Sequence, residues 1–176
     1  MPSLLALGKA PTASFTTTSP AAQATSPANA VDGFTTSGLP VTSGAYVGTN
    51  PTRGDSGSTN AQDWLQIDLG APTQFNTVKL YFYRNKSFGS GGGTYKEPMS
   101  YTVQVFNGSA WADISGQTKS PAIPAPNYNK VTFTPVTAQL VGVLMTRPSG
   151  LGVGLKEVQI QQTWRTPILG SRARRR

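Results

Sequence analysis

A chain of 176 residues with a net charge of +8 and neither histidine nor cysteine suits one domain, large enough to bury about two-thirds of its unfolded surface. It has no imidazole for acid–base work, no thiol nucleophile, no Cys/His zinc site and no disulfide. Nineteen glycines and fourteen prolines, with Ser, Thr and Asn crowding the gaps between short apolar runs, give the texture of many strands joined by turns.

The opening MPSLLALGKA has an apolar patch shorter than the roughly 7 to 15 residues of a secretory signal core, and no later run approaches a membrane span. The expectation is a soluble domain of a secreted protein whose export signal lies outside this sequence. Next comes NAVDGFTTSG (29–38), where Asp32, one of only seven acidic residues, sits against a glycine. Asp-Gly is turn chemistry, because Asp bonds its own backbone and Gly accepts positive φ. The alternative is that Asp32 anchors a cation, which needs a second carboxylate elsewhere. Both readings stand at this point.

Residues 34–63 form a segment too long for an ordinary turn. Its Arg53-Gly54-Asp55 spells an integrin-recognition tripeptide, a match that arises readily by chance in a Gly-rich loop. Alternation then begins. In WLQIDLG, Leu65, Ile67 and Leu69 share one face; in NTVKLYFY, Val78, Leu80 and Phe82 oppose Lys79, Tyr81 and Tyr83. A second long loop, RNKSFGSGGGTYKEP (84–98), follows. Its glycine run lacks the strand, lysine and helix of a phosphate-binding loop and reads as a flexible linker within the loop. Long loops on a rigid scaffold are where binding residues gather.

SYTVQVF is the next strand, and FNGSAWADI reads as a hairpin turning at Asn107-Gly108. Trp64 and Trp111 fall at strand and hairpin positions and are assigned to the core. KVTFTPV, QLVGVLMT and GLKEVQIQ complete the set; imperfect spacing in the last predicts a bulge. No segment sustains a helical period, so the predicted fold is an all-β, single antiparallel β-sandwich over residues 1–161. The remainder, 162–176, ends in SRARRR and is expected to be a disordered basic tail. Residues 1–164 hold ten basic and seven acidic residues, a net +3, so no basic stripe continues into the body and no specific nucleic-acid partner is expected.

Catalysis by paired carboxylates needs two acids roughly 5 to 10 Å apart in a cleft. Asp63 precedes a strand and Asp68 lies within it, five residues on and so facing the opposite way, and Asp55, Glu97 and Asp113 suggest no partner for either. A non-catalytic domain is expected.

LALGKAPTASFTT, NAVDGF, DWLQIDLG, SYTVQVFNGSAW and GLKEVQI, in that order, together resemble the coagulation factor V/VIII C-type, or discoidin, group over roughly Leu5 to Gln161. Within it the chain is most similar to bacterial family 32 carbohydrate-binding modules. The resemblance implies a jelly roll of about eight strands with sugar bound in loops at one end and a structural calcium nearby. The bracketing disulfide common in eukaryotic discoidin domains is missing, which favours the bacterial branch. For calcium the resemblance implies Asp32, the Asn29 carbonyl, Thr35 or Thr36, the Lys156 carbonyl and Glu157; without it, Glu157 would be read as a solvated residue on an edge strand.

For sugar the resemblance implies Arg84, just after the strand that precedes the glycine-rich loop, with Asn85 beside it. Guanidinium and amide groups suit hydroxyls that are donor and acceptor at once. Tyr46, Tyr83, Phe88 and Tyr95 are the loop aromatics available to cover an apolar sugar face, and Arg53 is placed with them. A histidine that many relatives carry in the first long loop is absent, so galactose specificity does not transfer. The expected function is a sugar-binding module that brings an attached secreted glycoside hydrolase to its polysaccharide, as a monomer without membrane partners. The competing reading is an adhesion module that recognises a protein or lipid head group; loop 84–98 offers it only Phe88 as an apolar tip.

Overall fold

The computed structural model describes residues 4–14, 26–35, 46–47, 61–84, 95–149 and 151–163. Nine strands are assigned: β1 (Ala10–Ala13), β2 (Tyr46–Val47), β3 (Gln62–Tyr83), β4 (Tyr95–Lys96), β5 (Ser100–Phe106), β6 (Trp111–Asp113), β7 (Thr118–Ser120), β8 (Asn127–Thr146) and β9 (Gly152–Gln161). A 3₁₀ turn, Pro27–Val31, is capped by the Ser26 side chain, which accepts from the Ala28 amide. Among the described residues no helix is long and apolar enough to cross a membrane.

Two strands set the architecture. WLQIDLG and NTVKLYFY, expected as separate strands, are the two halves of β3, and KVTFTPV and QLVGVLMT are the two halves of β8. The first half of β3 pairs with β1 and with residues 140–146 of β8; the second half pairs with β9 and with residues 127–138. Between the halves the register slips, at Asp68/Thr73 and again at Phe75/Thr77. Gly70 lies at the first slip with φ +84, and its amide donates to Asp68 Oδ1 at 2.7 Å. On β8 the skipped residues include Pro135, which has no N–H for the ladder. Such irregularities bend strands without ending them.

The strand order is β2-β9-β3-β8-β5-β6, with β1, β4 and β7 attached to β3, β9 and β8. Both halves feed one core: Leu65, Ile67, Val103, Val141, Val143 and Met145 from one, Phe75, Val78, Leu80, Phe82, Val158 and Ile160 from the other. Phe82 meets Tyr101 across this core with ring centroids 5.3 Å apart, as two facing layers require. The sandwich is therefore as expected, except that β4 runs parallel to β9, so the sheet is mixed. Gly70→Ala should cost about 1–2 kcal/mol, because an L-residue at that φ is strained although its Cβ would find nothing nearer than Lys9 Nζ at 3.7 Å. Thermal melting of the variant checks this.

Two features differ from expectation. Gln162 and Thr163 continue past the anticipated boundary, donating to Gln74 Oε1 at 2.9 Å and, through the Thr163 amide, to Asn76 Oδ1 at 2.8 Å; residues 164–176 lie outside the described residues. Trp64 and Trp111 are not core. They are 39% and 36% exposed, because Leu65 and Ile67 take the inward positions of β3 and Trp64 must then face out, while Trp111 stands on β6 at the end of the strand order.

Near the opposite end of β9 from its first residue, the Leu5 amide donates to the Ile160 carbonyl at 2.9 Å. The two ends of the described chain thus lie side by side.

Candidate functional site

Of the predicted site residues, the Tyr46 backbone, Tyr83, Arg84 and Tyr95 lie where β3 ends and β9 begins. Tyr83 pairs with Gly154, Tyr46 with Leu155 and Val47 with Gly154, and Tyr95 runs beside Gly152. One sheet end therefore collects the start of the 84–98 loop, its end, and the backbone of β2 from the first long loop. Arg53, Asn85 and Phe88 fall outside the described residues, and the Tyr46 side chain does too.

Arg84 follows β3 directly. Its Nε donates to Glu97 Oε2 at 2.8 Å and its Nη2 to Glu97 Oε1, a two-point fork that fixes the guanidinium plane. The Arg84 side chain is 43% exposed, whereas Glu97 is nearly covered. Burial pushes the Glu97 carboxyl up, but the hydrogen bonds and charge of Arg84 outweigh it and hold the group below its usual range. Glu97 thus spends itself on Arg84, and among the described residues no partner takes the Nη1 edge of the guanidinium, which can donate to hydroxyls. Sequence reasoning missed this partner; the signal was a cation and an anion at the two ends of one glycine-rich loop.

Tyr95 and Tyr83 do not stand out as exposed rings. Both are buried and tilt against each other with centroids 6.0 Å apart. The pairing of β4 with β9 draws Tyr95 inward, so these rings support the site from beneath. Lys156 closes the layer: its Nζ donates to Asn127 Oδ1 at 3.0 Å and lies 5.9 Å from the Tyr83 centroid, and burial lowers its pKa.

Lys156 is also the bulge foreseen in the last strand. Tyr81 pairs with Glu157 and Phe82 with Leu155, so Lys156 is the extra residue. Glu157 is 1% exposed and β9 lies between β2 and β3, which removes the reading of a solvated edge residue. Its Oε2 accepts from the Gly33 amide at 3.1 Å, while Asp32 Oδ1 accepts from the Phe34 amide at 2.9 Å. The Asp-Gly turn is therefore real, and it also brings Asp32 to Glu157. Burial first, and the Asp32 charge after it, push the Glu157 carboxyl up to about 8, with the Gly33 and Asp32 amides pulling it partly back. Among the described residues no cationic side chain pairs with Glu157.

A buried carboxylate beside a second one, with no counter-charge, fits a hard cation that draws its other ligands from carbonyl and hydroxyl oxygens. No third acidic side chain joins the pair among the described residues, so Asn29, Thr35 and the Lys156 carbonyl are the kind of donor such an ion would need. Among the described residues Asp63 is buried against Arg147 at 3.7 Å and accepts from Ser14 Oγ, and Asp68 is exposed, bonded to Gly70 and Gln139; Asp55 lies outside the described residues.

A family model for F5/8 type C domains, described as a NedA-like, galactose-binding domain, matches residues 29–143. Among solved structures, a mutant of chitosan-binding module 1 from a chitosanase/glucanase of Paenibacillus sp. IK-5 is 23% identical with a TM-score of 0.63, over 92% of this chain and 99% of that one. A structure from the β-galactosidase BgaA of Streptococcus pneumoniae is 14% identical with a TM-score of 0.66, over 89% and 93%. The lectin domain of lectinolysin, complexed with Lewis B antigen, is 20% identical with a TM-score of 0.59, over 92% and 98%. At these identities the likeness is one of fold.

Proposed function

The chain belongs to the F5/8 type C family of NedA-like, galactose-binding domains, and from that premise we propose that it is a non-catalytic sugar-binding module that keeps an attached secreted glycoside hydrolase on its polysaccharide. The observation that carries the reading is the Arg84 guanidinium, half exposed and clamped in one plane by Glu97. A fixed planar cation meets vicinal hydroxyls without the entropy of ordering a free side chain. To it we assign Asn85 and Phe88, which follow it in the sequence, and Tyr46 and Arg53 of the first long loop as the amide, cation and ring groups for the ligand, with the buried Tyr95 as support beneath. Tethering raises the enzyme's local concentration of substrate, so weak monovalent binding suffices.

The Asp32 and Glu157 carboxylates, with Asn29, Thr35 and the Lys156 carbonyl, hold a structural calcium in this reading. The ion supplies positive charge that ties the Asp-Gly turn to β9; Glu157 is too enclosed to touch a sugar.

Isothermal titration against a panel of plant and microbial oligosaccharides tests the proposal. Heat is expected with dissociation constants of roughly micromolar to millimolar, persisting at raised salt because a pocket is screened less than a basic tail. Silence across the whole panel would overturn it. Binding to anionic liposomes that survives Arg84→Ala would instead support the adhesion reading.

A further inference from the structure

The outer face of the first β3 half carries a groove of about 320 Å³ far along the strand from Arg84. Its floor is Gly142 on β8, flanked in register by Gln66 on β3 and Gln104 on β5. Trp111 leans over that glycine, so closely that a Cβ there would lie 3.0 Å from its Cζ3. Trp64 and Leu144 complete the walls. Gln104 Nε2 donates to Asp113 Oδ1 at 2.8 Å, and among the described residues neither the Gln104 side-chain oxygen nor the Gln66 side-chain amide has a hydrogen-bond partner.

Two half-exposed indoles beside two amides with spare donors and acceptors match a pyranose, whose ring has an apolar C–H face and a rim of hydroxyls. Among the described residues the groove lining has no cation, and the Asp113 carboxylate is bonded to one of its amides, which disfavours acidic sugars. The area argues against a protein partner. At roughly 250 Å² for a whole indole side chain, the two present about 200 Å² together, against the ~800 Å² per side of a stable protein interface. We propose that this face is a second saccharide subsite, taking a neutral or amino-sugar pyranose. It rests on the sugar-binding reading and makes the module bivalent for one long chain, so that avidity exceeds either site alone.

The test is the indole Nε1–H resonances of Trp64 and Trp111, assigned through Trp→Phe variants, during titration with chitotriose, cellotriose and trigalacturonic acid. Both resonances should move with at least one of the first two, in the wild-type protein and equally in Arg84→Ala, and stay in place with trigalacturonic acid. Trp111→Ala should weaken this binding at least tenfold while its melting curve stays cooperative; the wild-type shifts decide the matter even where that variant fails to fold. Indoles that stay put while the Arg84 guanidinium resonances move would overturn the subsite and leave the sugar-binding reading standing. No movement anywhere and no heat with any glycan would overturn both. Shifts that follow protein concentration without sugar, with a rise in sedimenting mass, would assign the face to a second copy and overturn the subsite. A response to trigalacturonic acid would overturn its charge preference.

Discussion

Arg84→Ala is expected to weaken glycan binding by roughly ten- to a hundredfold, the worth of a hydrogen-bonded charged group. The loss combines two effects that a second variant separates. Removing the guanidinium deletes the ligand contact and also strips the nearly covered Glu97 carboxylate of its two-point cation. Because Arg84 itself is 43% exposed, solvent screening keeps the stability cost near ~1 kcal/mol. Glu97→Gln keeps the arginine but loosens its plane, so it should cost several-fold in affinity with the cation still in place. Arg84→Lys restores charge without the planar fork and should rescue only part of the binding. If isothermal titration gives all three variants wild-type affinity, the sugar site lies elsewhere.

Stability without calcium should fall as pH rises from about 4.5 to about 8. Glu157 carries a folded-state pKa of about 8 against 4.5 for the free group, so across that window the folded chain holds a proton the unfolded chain has released. Stability must then decline with increasing pH, reaching on the order of a few kcal/mol, or about 5–10 °C in melting midpoint for a domain of this size. Calcium takes the place of the proton, so its stabilisation should be slight near pH 5 and grow towards pH 8. Differential scanning calorimetry in chelator and in calcium at both pH values measures the two slopes. Glu157→Gln should flatten the chelator slope and abolish the calcium response. Identical midpoints at both pH values, unmoved by calcium, would show that Asp32 and Glu157 do not form a cation site.

The periodicity of the sequence carried most of the fold. Leu65, Ile67, Val78, Leu80 and Phe82 are buried as their alternation requires, and the misfit in GLKEVQIQ is the bulge at Lys156. What alternation does not encode is whether a strand stops or bends. Gly70-Ala71-Pro72 and Thr134-Pro135 read as breaks, yet the ladder resumes after each slip. Trp64 was legible in the same alternation that buried Leu65; the habit of placing indoles inside overrode it. The Arg84–Glu97 pair spans a glycine-rich loop, over which no periodicity runs, and the burial of Tyr95 depends on its parallel pairing with β9. The approach of Asp32 to Glu157 came from family likeness, since 124 residues separate Gly33 from Glu157.

The contact between Leu5 and Ile160 has an architectural effect. From Gly154 beside Tyr83 to Ile160 is about 20 Å of extended chain, so the first and last described residues lie toward the pole opposite the guanidinium. Both limits of the described fold are thus hydrogen-bonded to one another at the pole away from that side chain, so fraying there would open the sandwich without first disturbing the Arg84–Glu97 pair.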